Sequence, residues 1–142
     1  MKKLLATTLL LGSLIITSCQ ADTFKSADAK AKLEKENYTV KTYTEEEAKA
    51  AFTEFSYENV TFTDALLASK GENKELDFIV IFYFKNNEEA SNFMYLDGNK
   101  NLAIMKNYVD NSLGKNIKEK IGTHNNALYF GSETAYNIAL YK

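Results

Sequence analysis

Very few side chains in this sequence are of the types needed for metal binding or nucleophilic catalysis. The chain has one cysteine, Cys19, and one histidine, His124, so it cannot supply a Cys/His metal set or a pair of histidine ligands. A Ser/His/Asp triad would need His124 inside a pocket. His124 falls instead in the polar stretch 122–126, which we predict to be an exposed hairpin turn. The sequence therefore predicts no metal, no cofactor and no triad.

Asp64 and Asp77 form a pair that could act as an acid and a base. Asp64 is in phase with the apolar residues of its predicted strand, 58–68. If the following hairpin turns at Lys70 and Gly71, Asp64 lies opposite Asp77. Two facing carboxylates raise one pKa and can transfer protons or bind a cation. A register shift of one residue would remove the pairing, so a carboxylate-dependent enzyme is kept as the alternative reading.

The stretch from Asp97 to Asn101 begins like a calcium-binding loop, with oxygen-bearing side chains at its first, third and fifth positions. The pattern then fails. The sixth position should be Gly and is Leu102, and the twelfth should be Glu and is Tyr108. We interpret this stretch as a turn between two helices, with two competing caps.

The N-terminal segment has the pattern of an export signal. Lys2 and Lys3 precede thirteen mostly apolar, uncharged residues, Leu4 to Ile16. That length fits the apolar region of a signal peptide. It is shorter than the roughly 20 residues that a helix needs to span a bilayer. An ordinary signal would end in a small-residue cleavage site of the A-x-A kind, whereas this one ends in a cysteine.

The four residues Ile16-Thr17-Ser18-Cys19 resemble the lipobox of bacterial prolipoproteins: an aliphatic residue, one or two small residues, then an obligatory Cys. The resemblance covers the leader alone. It implies that lipoprotein-processing enzymes attach a diacylglyceryl group to the thiol of Cys19 and cut the chain between Ser18 and Cys19. Two acyl chains give stable membrane anchoring. The alternative interpretations of Cys19 are an ordinary signal peptide that happens to end near a Cys, or a Cys of the core.

This resemblance implies three segments: a removed leader over 1–18, a lipidated tether over 19–26 and a single domain over 27–142. As a flexible chain the tether reaches roughly 15 Å, which would hold the domain close to the outer face of the cell membrane. The 124 residues left after cleavage are enough for one domain with a core. With its only cysteine acylated, the domain would have no disulfide.

The charge of the chain argues against nucleic-acid binding. All 17 basic residues are Lys, and the bidentate phosphate contacts typical of Arg are therefore absent. Without residues 1–18, which hold two Lys and no acid, 15 Lys remain against 19 acids, a net charge of −4. Nucleic-acid binding requires a basic face. An acidic body near an anionic leaflet is mildly repelled, so the lipid itself has to hold the protein.

Hydrophobic spacing and capping residues predict ten elements in the order α-β-α-β-β-α-(α)-β-β-α. The predicted helices are 27–36, from the capping box at Thr44 to Phe55, from Asn86 to the break at 97–99, 102–113 with Asn101 as N-cap, and 132–140. The predicted strands are 38–43, 58–68, 76–84, 115–121 and 127–130. A strand over 102–109 stays open as an alternative. We expect an α+β two-layer sandwich, an antiparallel sheet with helices on one face, most consistent with a ferredoxin-like split βαβ arrangement.

These observations favour a lipid-anchored, extracytoplasmic binding module of a bacterial envelope that carries out no catalysis. Its expected partners are the membrane, through the lipid on Cys19, and an envelope protein. Exposed tyrosines such as Tyr57, Tyr95 and Tyr141 would suit protein or glycan contact. The alternative is a small envelope enzyme that uses Asp64 and Asp77. A two-lobed solute-binding lipoprotein is disfavoured, because the chain is long enough for one lobe only.

Overall fold

The computed structural model describes residues 23–141, which form a five-stranded sheet with helices packed on it. The helices are α1 Ser26–Lys35, α2 Glu45–Ala51, α3 Asn87–Met94, α4 Leu96–Ser112 and α5 Glu133–Tyr136, followed by a π-type turn Asn137–Tyr141. The strands are β1 Thr39–Thr44, β2 Asp64–Lys70, β3 Asp77–Tyr83, β4 Glu119–His124 and β5 Ala127–Ser132. None of the helices within residues 23–141 is long and apolar enough to cross a membrane.

The strands lie in the order β1-β2-β3-β5-β4, and every neighbouring pair is antiparallel. β3 is in the middle because six of its seven residues, Phe78 to Tyr83, are buried. Such a run of apolar residues needs cover on both faces of the sheet. Successive side chains of a strand point to opposite faces, so β3 contributes alternately to two separate cores.

The first core contains most of the aromatic residues and lies under α2, α3 and α4. Phe55 is at its centre: its ring lies 5.7 Å from that of Phe82, 5.6 Å from that of Phe93 and 5.8 Å from that of Phe130. Aromatic pairs at such separations contribute about 0.5–1.5 kcal/mol each beyond the area they bury. This cluster joins the loop after α2, the central strand, α3 and β5.

The second core lies on the opposite face, under α1, α5 and the π-type turn. From β3 it takes Ile79, Ile81 and Tyr83, and from α1 it takes Ala29 and Leu33. Ala29 and Leu33 are four residues apart, so they lie on the same side of α1, one turn apart. The domain thus has three layers, with the sheet between two groups of helices.

The predicted α+β class, the antiparallel sheet and the order of the elements are confirmed. The expectation of helices on one face is wrong, because α1 and α5 cover the face opposite to α2, α3 and α4. The split βαβ arrangement is also wrong, since β1 pairs directly with β2 in the antiparallel sense. The connection from β1 to β2 consists of α2 and the loop 52–63, and it leads the chain into an antiparallel neighbour.

The predicted helix starts at Thr44, Asn86 and Ser132 are confirmed by their caps. Thr44 and Glu47 form a reciprocal capping box at α2. Asn86 accepts from the backbone N–H of Glu89, and Ser132 accepts from that of Ala135. Each cap satisfies a backbone donor that a helix N-terminus leaves free.

Asn101 has a different role from the one predicted. It lies inside α4, is fully buried and is not the N-cap of that helix. Its Oδ1 accepts from Ser56 N (2.8 Å), and its Nδ2 donates to Ser56 O (3.0 Å) and Phe93 O (2.9 Å). The break at 97–99 is confirmed, because these three residues have φ of 55°, 65° and 69°. This left-handed turn re-aims the chain between α3 and the rest of α4.

Tyr83 is buried on the face covered by α1, and its hydroxyl has no hydrogen-bond partner among residues 23–141. Burial, followed by the charges of Asp64 and Asp28, raises its pKa, so the phenol stays neutral at ordinary pH. An unpaired buried hydroxyl costs about 1–3 kcal/mol. We therefore expect Tyr83→Phe to leave the free energy of unfolding unchanged or to raise it, as measured by urea denaturation.

The matched control is Tyr38→Phe on the same core, because the hydroxyl of Tyr38 donates to Asp77 Oδ2 at 2.9 Å. Losing that hydrogen bond should lower the free energy of unfolding by about 1 kcal/mol. A loss of more than about 1 kcal/mol in Tyr83→Phe would show that its hydroxyl has a stabilising partner.

Candidate functional site

The chain enters the folded domain two residues before α1. Cys19, the predicted lipidation residue, and the whole leader lie outside the described residues. The predicted tether over 19–26 is partly wrong, because residues 24–26 belong to the domain. Phe24 packs against the second core, and Ser26 starts α1. Four residues, 20–23, therefore separate Cys19 from Phe24, fewer than the predicted tether contains.

We call Phe24, Phe84 and Asn126 the entry clamp. Asn126 is buried, and its side chain pairs with both backbone groups of Phe24: Oδ1 accepts from Phe24 N (2.6 Å) and Nδ2 donates to Phe24 O (2.9 Å). The same Nδ2 donates to Phe84 O (3.1 Å), and Phe84 N donates to the backbone oxygen of Asn126 (2.7 Å). One side chain of the β4–β5 turn thus holds the incoming chain and the end of β3 together.

An open depression of about 470 Å³ lies beside the entry clamp. Its charged lining residues are Lys25, Lys85 and Asp64. Both lysines are exposed, and neither ammonium group has an ion pair or hydrogen bond within residues 23–141. The carboxylate of Asp64 accepts from the hydroxyls of Ser26 and Thr63. The lining of this depression therefore carries two positive charges and one negative charge, in a chain whose net charge is −2.

The predicted pairing of Asp64 with Asp77 is wrong. Asp64 lies opposite Tyr83 and Asp77 lies opposite Lys70, so the two carboxylates are at opposite ends of the β2–β3 ladder, about 20 Å apart along the strands. The turn does begin at Gly71, whose φ is 81°. It is longer than a tight turn, however, because a 3₁₀ turn over Asn73–Glu75 extends it. The predicted acid/base or cation-binding pair does not exist.

The two aspartates instead hold opposite ends of the α1 segment. At the start of α1, the hydroxyl of Ser26 donates to Asp64 Oδ2. Beyond its end, the hydroxyl of Tyr38 donates to Asp77 Oδ2, and the buried Ser132 donates to Asp77 Oδ1. Burial, then the hydrogen bond to Asp77 and its charge, raises the pKa of Tyr38. Tyr38 is thereby kept as a neutral hydrogen-bond donor.

His124 is not the exposed turn residue that the sequence predicted. It is the last residue of β4, directly before the two-residue turn Asn125-Asn126, and it is half-buried. Its Nδ1 lies 3.0 Å from the hydroxyl of Tyr136, and its ring packs edge-on against Phe24 at 5.0 Å. His124 therefore supports the second core and the entry clamp. Within residues 23–141, no group of three or more His, Cys, Asp or Glu side chains could hold a metal ion.

A second open depression, of about 580 Å³, lies at the other end of α1, and we call it the far groove. It is lined by Lys32, Lys35, Glu36, Thr134, Asn137, Ile138 and Tyr141. The ring of Tyr141 is 74% exposed, and Tyr95, on the other side of the molecule, is 53% exposed, as predicted. The exposure predicted for Tyr57 is wrong: it is half-buried, and its hydroxyl donates to Phe52 O at 2.7 Å.

Sequence reasoning missed the role of Asn126 and the hydrogen bond that Ser132 donates to Asp77. Both residues come from hairpin β4–β5, and both fasten a segment that is distant in sequence. The available signal was the Asn125-Asn126 pair, since a short hairpin turn needs a residue with positive φ and Asn125 supplies it at 51°. That signal locates the turn and does not reveal what the second Asn binds. No protein-family model, curated protein or solved structure matches this chain.

Proposed function

We propose that this protein is a lipid-anchored binding module on the outer face of a bacterial cell membrane. The observation that carries the proposal is the tetrapeptide Ile16-Thr17-Ser18-Cys19 at the end of the mostly apolar stretch that starts at Leu4. It matches the lipobox pattern at all four positions. The thiol of Cys19 would carry the diacylglyceryl group, and two acyl chains are sufficient for stable anchoring.

The short link between Cys19 and the fold supports this proposal. Four residues, 20–23, separate Cys19 from Phe24, whose backbone is fixed by Asn126. Five peptide steps span at most about 17 Å. A lipid on Cys19 would therefore keep the entry clamp within that distance of the bilayer surface, and a domain held so closely is suited to partners within the same membrane.

The far groove supports a binding role. α1 is about 15 Å long and separates this groove from the entry clamp, so an anchor at Cys19 leaves the groove open to the surroundings. Tyrosine is enriched in protein interfaces because it joins a large apolar ring to a hydrogen-bonding group. Tyr141 offers both, beside the ammonium groups of Lys32 and Lys35. The alternative, a carboxylate-dependent enzyme, requires Asp64 and Asp77 to face each other. They lie at opposite ends of the β2–β3 ladder.

Cys19→Ala should abolish acylation and release the protein from the membrane fraction. The test expresses the full chain in a bacterial host with an alkyne analogue of palmitate, followed by membrane fractionation and mass spectrometry of the N-terminal peptide. The wild type should carry the label, and its N-terminal residue should be Cys19. Protease added to protoplasts or spheroplasts should digest it.

The matched control is Ser18→Ala, which keeps a small residue before Cys19 and should retain the label. Equal membrane association and no label in both Cys19→Ala and the wild type would contradict the proposed function. An intact leader on the mature protein would do the same.

A further inference from the structure

The lining of the depression beside the entry clamp contains two lysines and one aspartate, a net charge of +1. The chain as a whole is acidic. Beside the clamp, Lys25 and Lys85 line one depression, and neither ammonium group has a partner within residues 23–141. The one acidic residue of that lining, Asp64, is engaged by two hydroxyl groups. Two lysines without a partner among residues 23–141 therefore lie beside Phe24, which is five positions after Cys19 in the sequence.

The positions of these two lysines are fixed by the fold. Lys25 follows Phe24, whose N–H and C=O are both bound by Asn126. Lys85 follows Phe84, which exchanges hydrogen bonds with the same residue. Since one buried amide holds both neighbours, the two ammonium groups start from backbone positions that do not move independently of each other.

We propose that Lys25 and Lys85 contact the phosphate groups of anionic lipids and hold the entry end of the domain against the membrane surface. This inference rests on the proposed lipid anchor. Because Cys19 is at most about 17 Å of chain from Phe24, both lysines lie within reach of the headgroups. A Lys near an anionic leaflet gains about 1 kcal/mol, about a fivefold preference. The lysines thus set the orientation of a protein that the lipid already retains.

Amine acetylation read by mass spectrometry tests this orientation. Acylated full-chain protein is purified from bacterial membranes, checked for its acyl mass, and reconstituted into vesicles of phosphatidylcholine with or without phosphatidylglycerol. We expect Lys25 and Lys85 to react about fivefold more slowly in the vesicles that contain phosphatidylglycerol. Raised ionic strength should remove the difference, because salt screens exposed charges. Inorganic phosphate at the same ionic strength as sodium chloride should have no additional effect.

Lys32 and Lys35, which line the far groove, are the internal controls, and their rates should not depend on lipid charge. Lys25→Gln should weaken the protection of Lys85, while Lys32→Gln should not change it. Equal protection of all four lysines, or protection of the same size in vesicles with and without phosphatidylglycerol, would overturn the proposed orientation. Neither result would affect the proposed lipid anchor. Competition by inorganic phosphate beyond its ionic strength would show a free-anion site and overturn the lipid contact. A protein that lacks the acyl mass would overturn both proposals.

Discussion

Gly131→Ala is expected to lower the free energy of unfolding by at least about 4 kcal/mol, or to prevent folding altogether. Gly131 lies in β5 opposite Ile79 of the central strand and has φ of 153°, a backbone conformation that L-residues rarely adopt. A Cβ there would lie 2.6 Å from Ile79 Cα and would also overlap the carbonyl oxygen of Phe78. Both obstacles are backbone atoms of the central strand β3, so neither can move aside without breaking the β3–β5 pairing.

Gly98→Ala is the matched control for this substitution. Gly98 also has a positive φ, 65°, but an added Cβ would meet no atom within 4 Å. Gly98→Ala should lower the free energy of unfolding by about 1 kcal/mol, which is the conformational cost alone. Urea denaturation followed by far-ultraviolet circular dichroism measures both, as the chain has no tryptophan. Losses of similar size at the two positions would contradict the close contact of β5 with β3.

Asn126→Ala is expected to lower the free energy of unfolding by about 2–3 kcal/mol and to free the segment before α1. Its side chain is the partner of Phe24 N, Phe24 O and Phe84 O. Alanine would remove the Asn126 amide from these three backbone groups, in a region where Asn126 itself is only 4% exposed. Hydrogen exchange measured by mass spectrometry should show that the amide of Phe24 loses its protection, while amides in the middle of β3 exchange only as fast as the lower global stability requires.

The control for the clamp is Asn87→Ala. Asn87 is an exposed residue whose Nδ2 donates to Asn125 O at 2.7 Å, in the same turn. Surface substitutions of this kind usually change stability by no more than about 0.5 kcal/mol. Retained protection of Phe24 in Asn126→Ala would show that Phe24 is held by its packing against His124 and the second core.

The parts of this fold that could be predicted are those determined by local rules. Capping residues gave the starts of α2, α3 and α5, and the unbroken apolar run of β3 identified the central strand. That same run could have predicted helices on both faces, since Phe78 to Tyr83 are apolar in both phases. The apolar side of α1 is thin, mainly Ala29 and Leu33, and so does not reveal that α1, together with α5 and the π-type turn, covers a second core.

The parts that could not be predicted depend on distances along the chain. The pairing of Asp64 and Asp77 required a tight turn at Gly71, whereas a 3₁₀ turn lengthens the loop and moves the register by several residues. The entry clamp joins residues 102 positions apart, Phe24 and Asn126. No periodicity or spacing in the sequence specifies which backbone groups a buried amide will bind. For the same reason, the sequence predicts Asn101 to be an N-cap, whereas its buried amide binds the backbone of Ser56 and Phe93.

The clamp at Phe24 also determines how the molecule responds to mechanical load. Any pull on residues before Phe24 reaches the two hydrogen bonds with Asn126 before it reaches α1. Asn126 belongs to the turn between β4 and β5 and is bonded to the end of β3 as well. The tension therefore passes first to the β4–β5 turn and to the end of β3, ahead of α1.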